Sequence, residues 1–371
     1  MRYPEFLKEK GTVGFIAPSF GCVQEPYGSL FDKTIEKFEA KGYKTSVGPN
    51  CRIEVGIGKS NTPEECAKEL NDYFINDKSD IIISCGGGET MCEDLPFTDF
   101  AGIGEAKPKW FIGYSDNTNL TFTLNTLCDT ASVYGPCAAT FSEDEAFVRD
   151  SCDILTGRKL KVHNYDKWYL EPALCGIDIY EDDKFLEIGE EGEYGLGLSP
   201  QKLPVKIIND KICLEMPYKQ RIFNGERDAD EADFSGRLIG GCLDCLCNLV
   251  GTGFDKVRDF NKRYASDGIV WFIESCELGA MSIRRALWQL ENAGWFENVK
   301  GFIIGRPMMY NDSFNGFDRF EAIRGALGKY NVPIVMDIDL GHLSPAMPII
   351  SGAIGNVKAR GNEIEIEYVL K

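Results

Sequence analysis

The first third of the chain alternates short apolar runs with segments of helical periodicity, and this alternation restricts the possible folds most. Thr12–Pro18 (TVGFIAP) has the pattern of a buried strand followed by turn residues, and Leu30–Ala40 has helical spacing. The apolar runs Ile81–Ile83 and Trp110–Gly113 predict further buried strands. Strands that alternate with helices form βαβ units, in which the strands pair in parallel. We therefore predict an α/β fold that begins with a parallel sheet covered by helices on both faces.

The length of the chain predicts two domains, because 371 residues exceed the usual size of one core. We place a parallel α/β domain at 1–143. Residues 144–233 lose periodicity and are rich in charged residues, which predicts a linker with irregular strands and loops. Strand and helix patterns return in 234–371, which predicts a second, smaller α/β domain. Its last two strands are expected at Ile349–Ala359 and Ile364–Val369.

The composition restricts the class of partner. The net charge of −18 disfavours nucleic acid and anionic membranes, because both would be repelled. The chain shows no pattern of a signal peptide and no apolar run long enough to span a bilayer. Its fourteen cysteines are therefore expected to be reduced thiols in a cytoplasm. Cys242, Cys245 and Cys247 alternate with leucines and lack a second ligand pair, which favours buried thiols over a metal site.

The segment from Trp110 to Leu127 reads as strand, sharp turn and helix, with Ser115 in the turn. A nucleophile elbow has this geometry, in which a hydroxyl stands above the end of a sheet beside a helix N-terminus. Gly113 permits the close turn, because a side chain there would crowd the serine. The alternative is that Ser115 only caps the helix. The pattern also departs from GxSxG, since Asn117 occupies the position of the second glycine.

A glycine loop, Gly86–Gly87–Gly88, follows the predicted strand Ile81–Ile83. Such a loop presents backbone N–H groups to the crevice at the carboxyl end of a parallel sheet. Phosphate binding is one interpretation, although the spacing fits neither GxGxxG nor a P-loop. A second interpretation is an oxyanion hole over Ser115, and a third is an ordinary tight turn.

The chain has only two histidines, so a serine nucleophile with an imidazole base must use His163 or His342. His163 lies in the aperiodic region. His342 follows a predicted buried strand next to a glycine, where sheet domains present functional groups. Glu274 also ends a buried strand, a position that is costly for a carboxylate without a partner. Together they give the order Ser–Glu–His, which is known from α/β-hydrolases but is not exclusive to them.

Other assignments of these groups stay open from the residues alone. Glu274 could instead pair with Arg284, and His342 could be an ordinary loop histidine. Asp337 or Asp339 could orient His342, and Glu277 could take the place of Glu274.

Several motifs occur together in an order that resembles one known family. The motifs are FIGYSDNT, SGRLIGGCLDCL, WFIESCE, GFIIGRP and DLGHLSP. In order and rough spacing they are similar to the LD-carboxypeptidase / microcin C immunity protein family of serine peptidases. The resemblance covers most of the chain apart from the middle region. It implies a flavodoxin- or Rossmann-like N-terminal domain, a smaller α/β C-terminal domain and an active site between them.

The resemblance also implies roles for individual residues. The nucleophile carries over to Ser115, the orienting carboxylate to Glu274 and the base to His342. The glycine loop carries over to Gly86 and Gly87, with the N–H groups of Gly87 and Asp116 as oxyanion donors. The chain departs from the family pattern at Cys242, where an asparagine is common, and in its long middle region. Both departures leave the substrate open.

These observations lead to three hypotheses about function. The first is a cytoplasmic serine peptidase of carboxypeptidase type that needs no cofactor and cleaves a small peptide through an acyl-enzyme. The second is an amidase that hydrolyses a microcin-type aminoacyl-nucleotide. The third is a non-catalytic protein that binds a small ligand through the glycine loop and the interdomain cleft. A homodimer is an expectation from the family resemblance alone.

Overall fold

The structure, a computed structural model of the chain, describes residues 1–56, 58–171, 185–188, 201–208 and 211–371. The strands in these residues are β1 (Thr12–Ile16), β2 (Lys44–Val47), β3 (Ile81–Ser84), β4 (Trp110–Gly113), β5 (Ser132–Tyr134), β6 (Lys161–His163), β7 (Lys167–Leu170), β8 (Phe185–Ile188), β9 (Gln201–Ile208), β10 (Lys211–Pro217), β11 (Arg221–Asn224), β12 (Arg227–Ala229), β13 (Glu231–Cys242), β14 (Ile269–Glu274), β15 (Val299–Gly305), β16 (Pro333–Ile338), β17 (Ile349–Ser351), β18 (Ile354–Arg360) and β19 (Glu363–Val369). The α-helices are α1 (Tyr27–Ala40), α2 (Pro63–Ile75), α3 (Phe100–Glu105), α4 (Thr118–Cys128), α5 (Ala146–Leu155), α6 (Leu243–Leu249), α7 (Val257–Arg263), α8 (Ala280–Asn292) and α9 (Arg319–Leu327).

The first sheet has the strand order β17-β5-β4-β3-β1-β2. The strands β1 to β5 pair in parallel, as the alternation of strands and helices predicted. The edge strand β17 comes from the far end of the chain and pairs antiparallel with β5. The predicted single strand Ile349–Ala359 was therefore wrong. The chain turns at Gly352, whose φ of +91° lies in the left-handed region that glycine adopts without strain. The strand after this turn, β18, belongs to the nine-stranded sheet.

The second sheet has nine strands in the order β12-β11-β16-β15-β14-β13-β18-β19-β6. The central strands β13 to β16 pair in parallel, and strands on both sides of them pair antiparallel. Every residue of β14 is buried, because helices and the neighbouring sheet cover both of its faces. The strand ends in Glu274, which places a carboxylate at the carboxyl edge of the parallel core.

The middle of the chain contains more regular structure than the sequence predicted. Its helix α5 was missed, although it buries the apolar side chains of Phe147, Val148, Ile154 and Leu155. Charged residues between these positions hide the periodicity in so short a segment. β6, β11 and β12 extend the nine-stranded sheet, and β7 to β10 form a four-stranded sheet. The acidic stretch EEGE at 190–193 lies outside the described residues. The boundaries at 143 and 233 remain a prediction.

The helix α4, which follows the Ser115 turn, lies between the two large sheets. Ten of its eleven residues are buried, because it has protein on nearly all sides. Its Phe122 stacks on Trp295, with ring centroids 5.2 Å apart, and Trp295 stacks on Trp271 of β14 at 5.8 Å. Aromatic packing therefore ties the Ser115 turn to the strand that carries Glu274.

We expect Phe122→Ala to destabilise the protein, because it removes the ring at the centre of this contact. The free energy of unfolding should fall by about 3–5 kcal/mol, as for other buried phenylalanines. Urea unfolding followed by circular dichroism measures this change. Phe314→Ala is the control, since Phe314 is 65% exposed and its loss should change stability by about 0.5 kcal/mol or less. Equal effects of the two substitutions would contradict the packing described here.

Candidate active site

Ser115 lies in the sharp turn between β4 and α4. Its φ is +63°, a left-handed conformation that is unfavourable for a residue with a side chain. Residues Ser115–Asn117 form a single 3-10 turn before the helix begins. A Cβ on Gly113 would lie 2.8 Å from Cγ of Asn117, so the turn requires glycine there. The predicted strand, turn and helix are all present, and the turn has the strained backbone of a nucleophile elbow.

The glycine loop lies directly against this turn. The side-chain amide of Asn117 donates hydrogen bonds to the carbonyl oxygens of Gly86 (2.8 Å) and Tyr114 (3.1 Å). A Cβ on Gly87 would lie 3.1 Å from Oγ of Ser115. A Cβ on Gly88 would lie 2.0 Å from Oγ of Ser19, so no side chain fits there either. Asn117, which departs from GxSxG, is therefore the residue that attaches the glycine loop to the Ser115 turn.

The side chain of Asp116 holds loops together and does not face the cleft. Its Oδ2 accepts hydrogen bonds from the Ser19 hydroxyl at 2.6 Å and from the N–H of Met91 at 2.9 Å. Its Oδ1 accepts a third from the Asn119 amide. Burial raises the pKa of Asp116, although these donors oppose the shift. Only its backbone N–H therefore remains relevant to the predicted oxyanion hole.

Ser115, His342 and Glu274 form one hydrogen-bonded row. Nε2 of His342 lies 2.9 Å from Oγ of Ser115, and Nδ1 of the same ring lies 2.9 Å from Oε2 of Glu274. The three side chains come from the turn after β4, the loop after β16 and the end of β14. The row thus joins residues from both large sheets.

Glu274 is almost completely buried at 1% exposure. Its other oxygen, Oε1, accepts a hydrogen bond from the Tyr134 hydroxyl at 2.5 Å. Burial opposes ionisation, but the positive charge and hydrogen bond of His342, with the donor from Tyr134, lower its pKa overall. A Cβ on Gly341 would lie 2.6 Å from Oε2, so the loop can approach the carboxylate only as glycine.

The pKa of His342 moves in the opposite direction. Burial of the imidazole lowers this pKa, but the neighbouring carboxylate of Glu274, together with a hydrogen bond to the Cys276 thiol, more than offsets the effect and raises it well above 6.5. The imidazole and the carboxylate therefore titrate as a coupled pair.

The alternative orienting groups have other partners. Asp337 forms an ion pair with Arg319 at 2.7 Å, and Asp339 forms a buried ion pair with Arg306. Asp339 also accepts a hydrogen bond from the N–H of Tyr165, and its carbonyl accepts one from Met347. These contacts anchor the two ends of the loop that carries His342.

The remaining alternatives lie away from the row. The exposed Glu277 has its N–H bound to Asp244, and the guanidinium of Arg284 donates to the carbonyl of Ala322. His163 lies on β6, exposed, opposite Glu365 of β19. The structure therefore does not bring His163 to Ser115.

Tyr134 is the site residue that sequence reasoning missed. Its hydroxyl contacts both Glu274 and the backbone N–H of Ser115. A signal was available, because Tyr134 ends the strand that neighbours β4, at the same edge of the sheet as Ser115. A buried tyrosine at a strand end is common in cores, however, so the sequence alone did not single it out.

A cavity of about 270 Å³ opens beside His342. Aromatic side chains form much of its described lining, which includes Tyr27, Tyr114, Tyr134, Phe147 and Tyr169. Trp168 of β7 packs against Tyr310, with ring centroids 4.9 Å apart.

The cysteines near the row are thiols. Cys242 and Cys245 are buried and free, and the thiol of Cys245 approaches the carbonyl oxygen of Ser115 at 3.6 Å. Within the described ranges, no group of three or more His, Cys, Asp or Glu side chains is arranged to hold a metal ion. Among the helices of the same ranges, none is both long and apolar enough to cross a bilayer.

Comparison with known families identifies the class of protein. Residues 13–135 match the LD-carboxypeptidase N-terminal domain, and residues 235–357 match the LD-carboxypeptidase C-terminal domain. The chain therefore belongs to the LD-carboxypeptidase family, which includes the microcin immunity proteins. This confirms the resemblance seen in the motifs.

Individual relatives extend the similarity to nearly the whole chain. The microcin C7 self-immunity protein MccF of Escherichia coli is 24% identical over 92% of this chain and 88% of its own. A putative carboxypeptidase of Vibrio cholerae is 22% identical over 99% and 98%. The solved structure of an MccF-like protein from Bacillus anthracis has a TM-score of 0.71 at 19% identity and covers both chains completely. The two-domain α/β fold predicted from the sequence is thus confirmed.

We expect Glu274→Gln to lower the pKa of His342, because the substitution removes the charge that stabilises the imidazolium. The fall should be about one unit or more. Carbon-13 NMR of histidine-labelled protein measures it directly, since the chain has only two histidines. His163→Gln removes the second signal and assigns the first. An unchanged pKa in Glu274→Gln would contradict the coupling of the two groups.

Proposed function

We propose that the protein is a serine hydrolase in which Ser115 is the nucleophile, His342 the general base and Glu274 the orienting carboxylate. The observation that carries the proposal is the row of two 2.9 Å hydrogen bonds from Oγ of Ser115 through the imidazole to Oε2 of Glu274. A serine hydroxyl needs a base at neutral pH, and a carboxylate on the far nitrogen fixes the useful tautomer of the imidazole.

The proposed reaction proceeds through an acyl-enzyme. Nε2 of His342 takes the proton of Ser115 as Oγ attacks the carbonyl carbon, and Glu274 stabilises the imidazolium that forms. The imidazolium then gives its proton to the leaving amine. Water, activated by the same imidazole, hydrolyses the ester and releases the product.

The N–H groups of Gly87 and Asp116 are the proposed oxyanion donors. Asp116 follows the nucleophile, the usual position for one donor at an elbow. Gly87 lies so close to Ser115 that a Cβ would be 3.1 Å from Oγ, which supports a second donor on the glycine loop.

The family supports a small peptide as substrate. Its domains carry the name LD-carboxypeptidase, and the Vibrio cholerae relative is named a putative carboxypeptidase. We therefore propose cleavage of a small peptide or peptide-like amide, of carboxypeptidase type. A cytoplasmic location and a homodimer belong to the same proposal, and sedimentation velocity tests the dimer.

The cavity favours a second candidate substrate, an aminoacyl-nucleotide amide. Its described lining is rich in aromatic side chains, on which a planar base can stack, and the described part of that lining includes no lysine or arginine for a terminal carboxylate. A solved structure of MccF, with a TM-score of 0.69 to this chain, holds aspartyl sulfamoyl adenosine. Hydrolysis of L,D-tetrapeptides measured beside hydrolysis of aminoacyl-nucleotide analogues separates the two candidates.

A fluorophosphonate probe tests the proposed nucleophile without knowledge of the substrate. We expect one equivalent to react, Ser115→Ala to abolish the reaction, and His342→Ala to slow it by about 10²-fold or more. His163→Ala is the matched control and should react at the wild-type rate. Reaction of Ser115→Ala at the wild-type rate would exclude this mechanism. A folded wild-type protein that never reacts would favour the ligand-binding hypothesis.

We expect Gly87→Ala to impair the site, because its methyl group would push against Oγ of Ser115 and disturb the hydrogen bond to His342. The rate of fluorophosphonate labelling should fall about tenfold or more. Gly253→Ala is the control, since a Cβ there meets no atom within 4 Å. Equal labelling rates in the two variants would show that Gly87 does not shape the site.

A further inference from the structure

We propose that Tyr134 is a positioning residue that joins the backbone of the nucleophile to the orienting carboxylate. The inference rests on the proposed function, because it assigns Tyr134 a role through Ser115 and Glu274. Its hydroxyl accepts a hydrogen bond from the N–H of Ser115 at 3.1 Å and lies 2.5 Å from Oε1 of Glu274.

The direction of both hydrogen bonds is fixed by the groups involved. A backbone N–H can only donate, and an ionised carboxylate can only accept. The single proton of the Tyr134 hydroxyl must therefore point at Glu274 while its oxygen receives the N–H of Ser115. No rotation of the hydroxyl satisfies both neighbours in another way.

These contacts close a ring of hydrogen bonds. It runs from the N–H of Ser115 through Tyr134, Glu274 and His342 and returns to Oγ of Ser115. Each oxygen of Glu274 has its own donor, so rotation of the carboxylate would break the hydrogen bonds to both His342 and Tyr134. Tyr134 thus holds the carboxylate of Glu274 in its orientation toward His342. The same hydroxyl also holds the strained backbone of Ser115.

The ring of Tyr134 is itself held by packing. It is 2% exposed and lies against Phe272, with centroids 5.7 Å apart, and edge-on to Tyr114 at 6.4 Å. Phe272 belongs to β14, the strand that ends in Glu274. The Tyr134 ring is therefore held by Phe272 of β14, the strand that carries Glu274, and by Tyr114, the residue before Ser115.

Tyr134 also influences the charge that acts on His342. A donor on Oε1 draws negative charge from the carboxylate, and its loss leaves more of that charge acting on the imidazolium. The other titratable groups close to the pair are the thiols of Cys242, Cys245 and Cys276, the phenol of Tyr114 and the carboxylate of Glu89. Tyr134→Phe removes none of these groups, so it isolates the hydroxyl.

The test is the pH dependence of fluorophosphonate labelling in Tyr134→Phe. Labelling requires a neutral imidazole, so its rate rises with pH through the pKa of His342. We expect this rise to move to higher pH by about half a unit to one unit. At pH values below the pKa of His342, labelling should therefore be about three- to tenfold slower than in the wild type. Glu274→Gln, which removes the charge itself, should move the rise to lower pH. The two substitutions should therefore act in opposite directions.

Tyr368→Phe is the matched control. Tyr368 is 3% exposed and its hydroxyl donates to the carbonyl of Pro348 at 2.7 Å, so its loss also removes one buried hydrogen bond. It should leave the pH dependence of labelling unchanged. A rate loss in Tyr134→Phe that is equal at every pH would assign Tyr134 a packing role and overturn the inference.

A second variant covers the case in which Tyr134→Phe does not fold. Incorporation of 3,5-difluorotyrosine at position 134 keeps the shape of the side chain and gives a more acidic hydroxyl, which is a stronger donor to Glu274. The rise of the labelling rate with pH should therefore move to lower pH than in the wild type. An unmoved rise would overturn the inference. Failure of the proposed function is recognised separately, because Ser115→Ala would then still be labelled.

Discussion

The ion pair between Glu274 and His342 is the interaction on which the rest of the site depends. A carboxylate with 1% exposure is unfavourable unless hydrogen bonds and an opposite charge compensate for lost water. His342 and Tyr134 supply both, one on each oxygen. Because those donors come from different sheets, both oxygens of Glu274 receive a donor only when β5, β14 and the loop after β16 meet. The chemistry is thus a consequence of how the two sheets pack.

Glycines make this close approach possible. A side chain on Gly87 would press on Ser115, and one on Gly341 would press on Glu274. Gly341 has a φ of +105°, so the loop that carries His342 also needs its backbone freedom. The ion pairs of Asp337 and Asp339 anchor the beginning of the same loop. Backbone without side chains therefore approaches the row closely at Gly87 and Gly341.

The sequence predicted those parts that depend on local pattern. The strands around Ser115 and Glu274 are fully buried and short, so their ends, where functional groups lie, could be located. The scarcity of histidine limited the predicted base to two residues, and the buried strand before His342 favoured it over His163. Three-dimensional pairing could not be predicted: Tyr134 gains its role from a contact with Glu274, which is 140 residues away in the chain. β17 separates from β18 and joins the first sheet through its pairing with β5. The helix α5 was hidden by the charges between its apolar residues.

The most direct test of the account is a crystal structure of the protein after reaction with a fluorophosphonate. The account predicts a phosphonyl group bonded to Oγ of Ser115, with one oxygen within about 3.1 Å of the N–H groups of Gly87 and Asp116. The imidazole of His342 should remain hydrogen-bonded to Glu274. A phosphonyl group on another residue, or an oxygen turned away from both N–H groups, would contradict it.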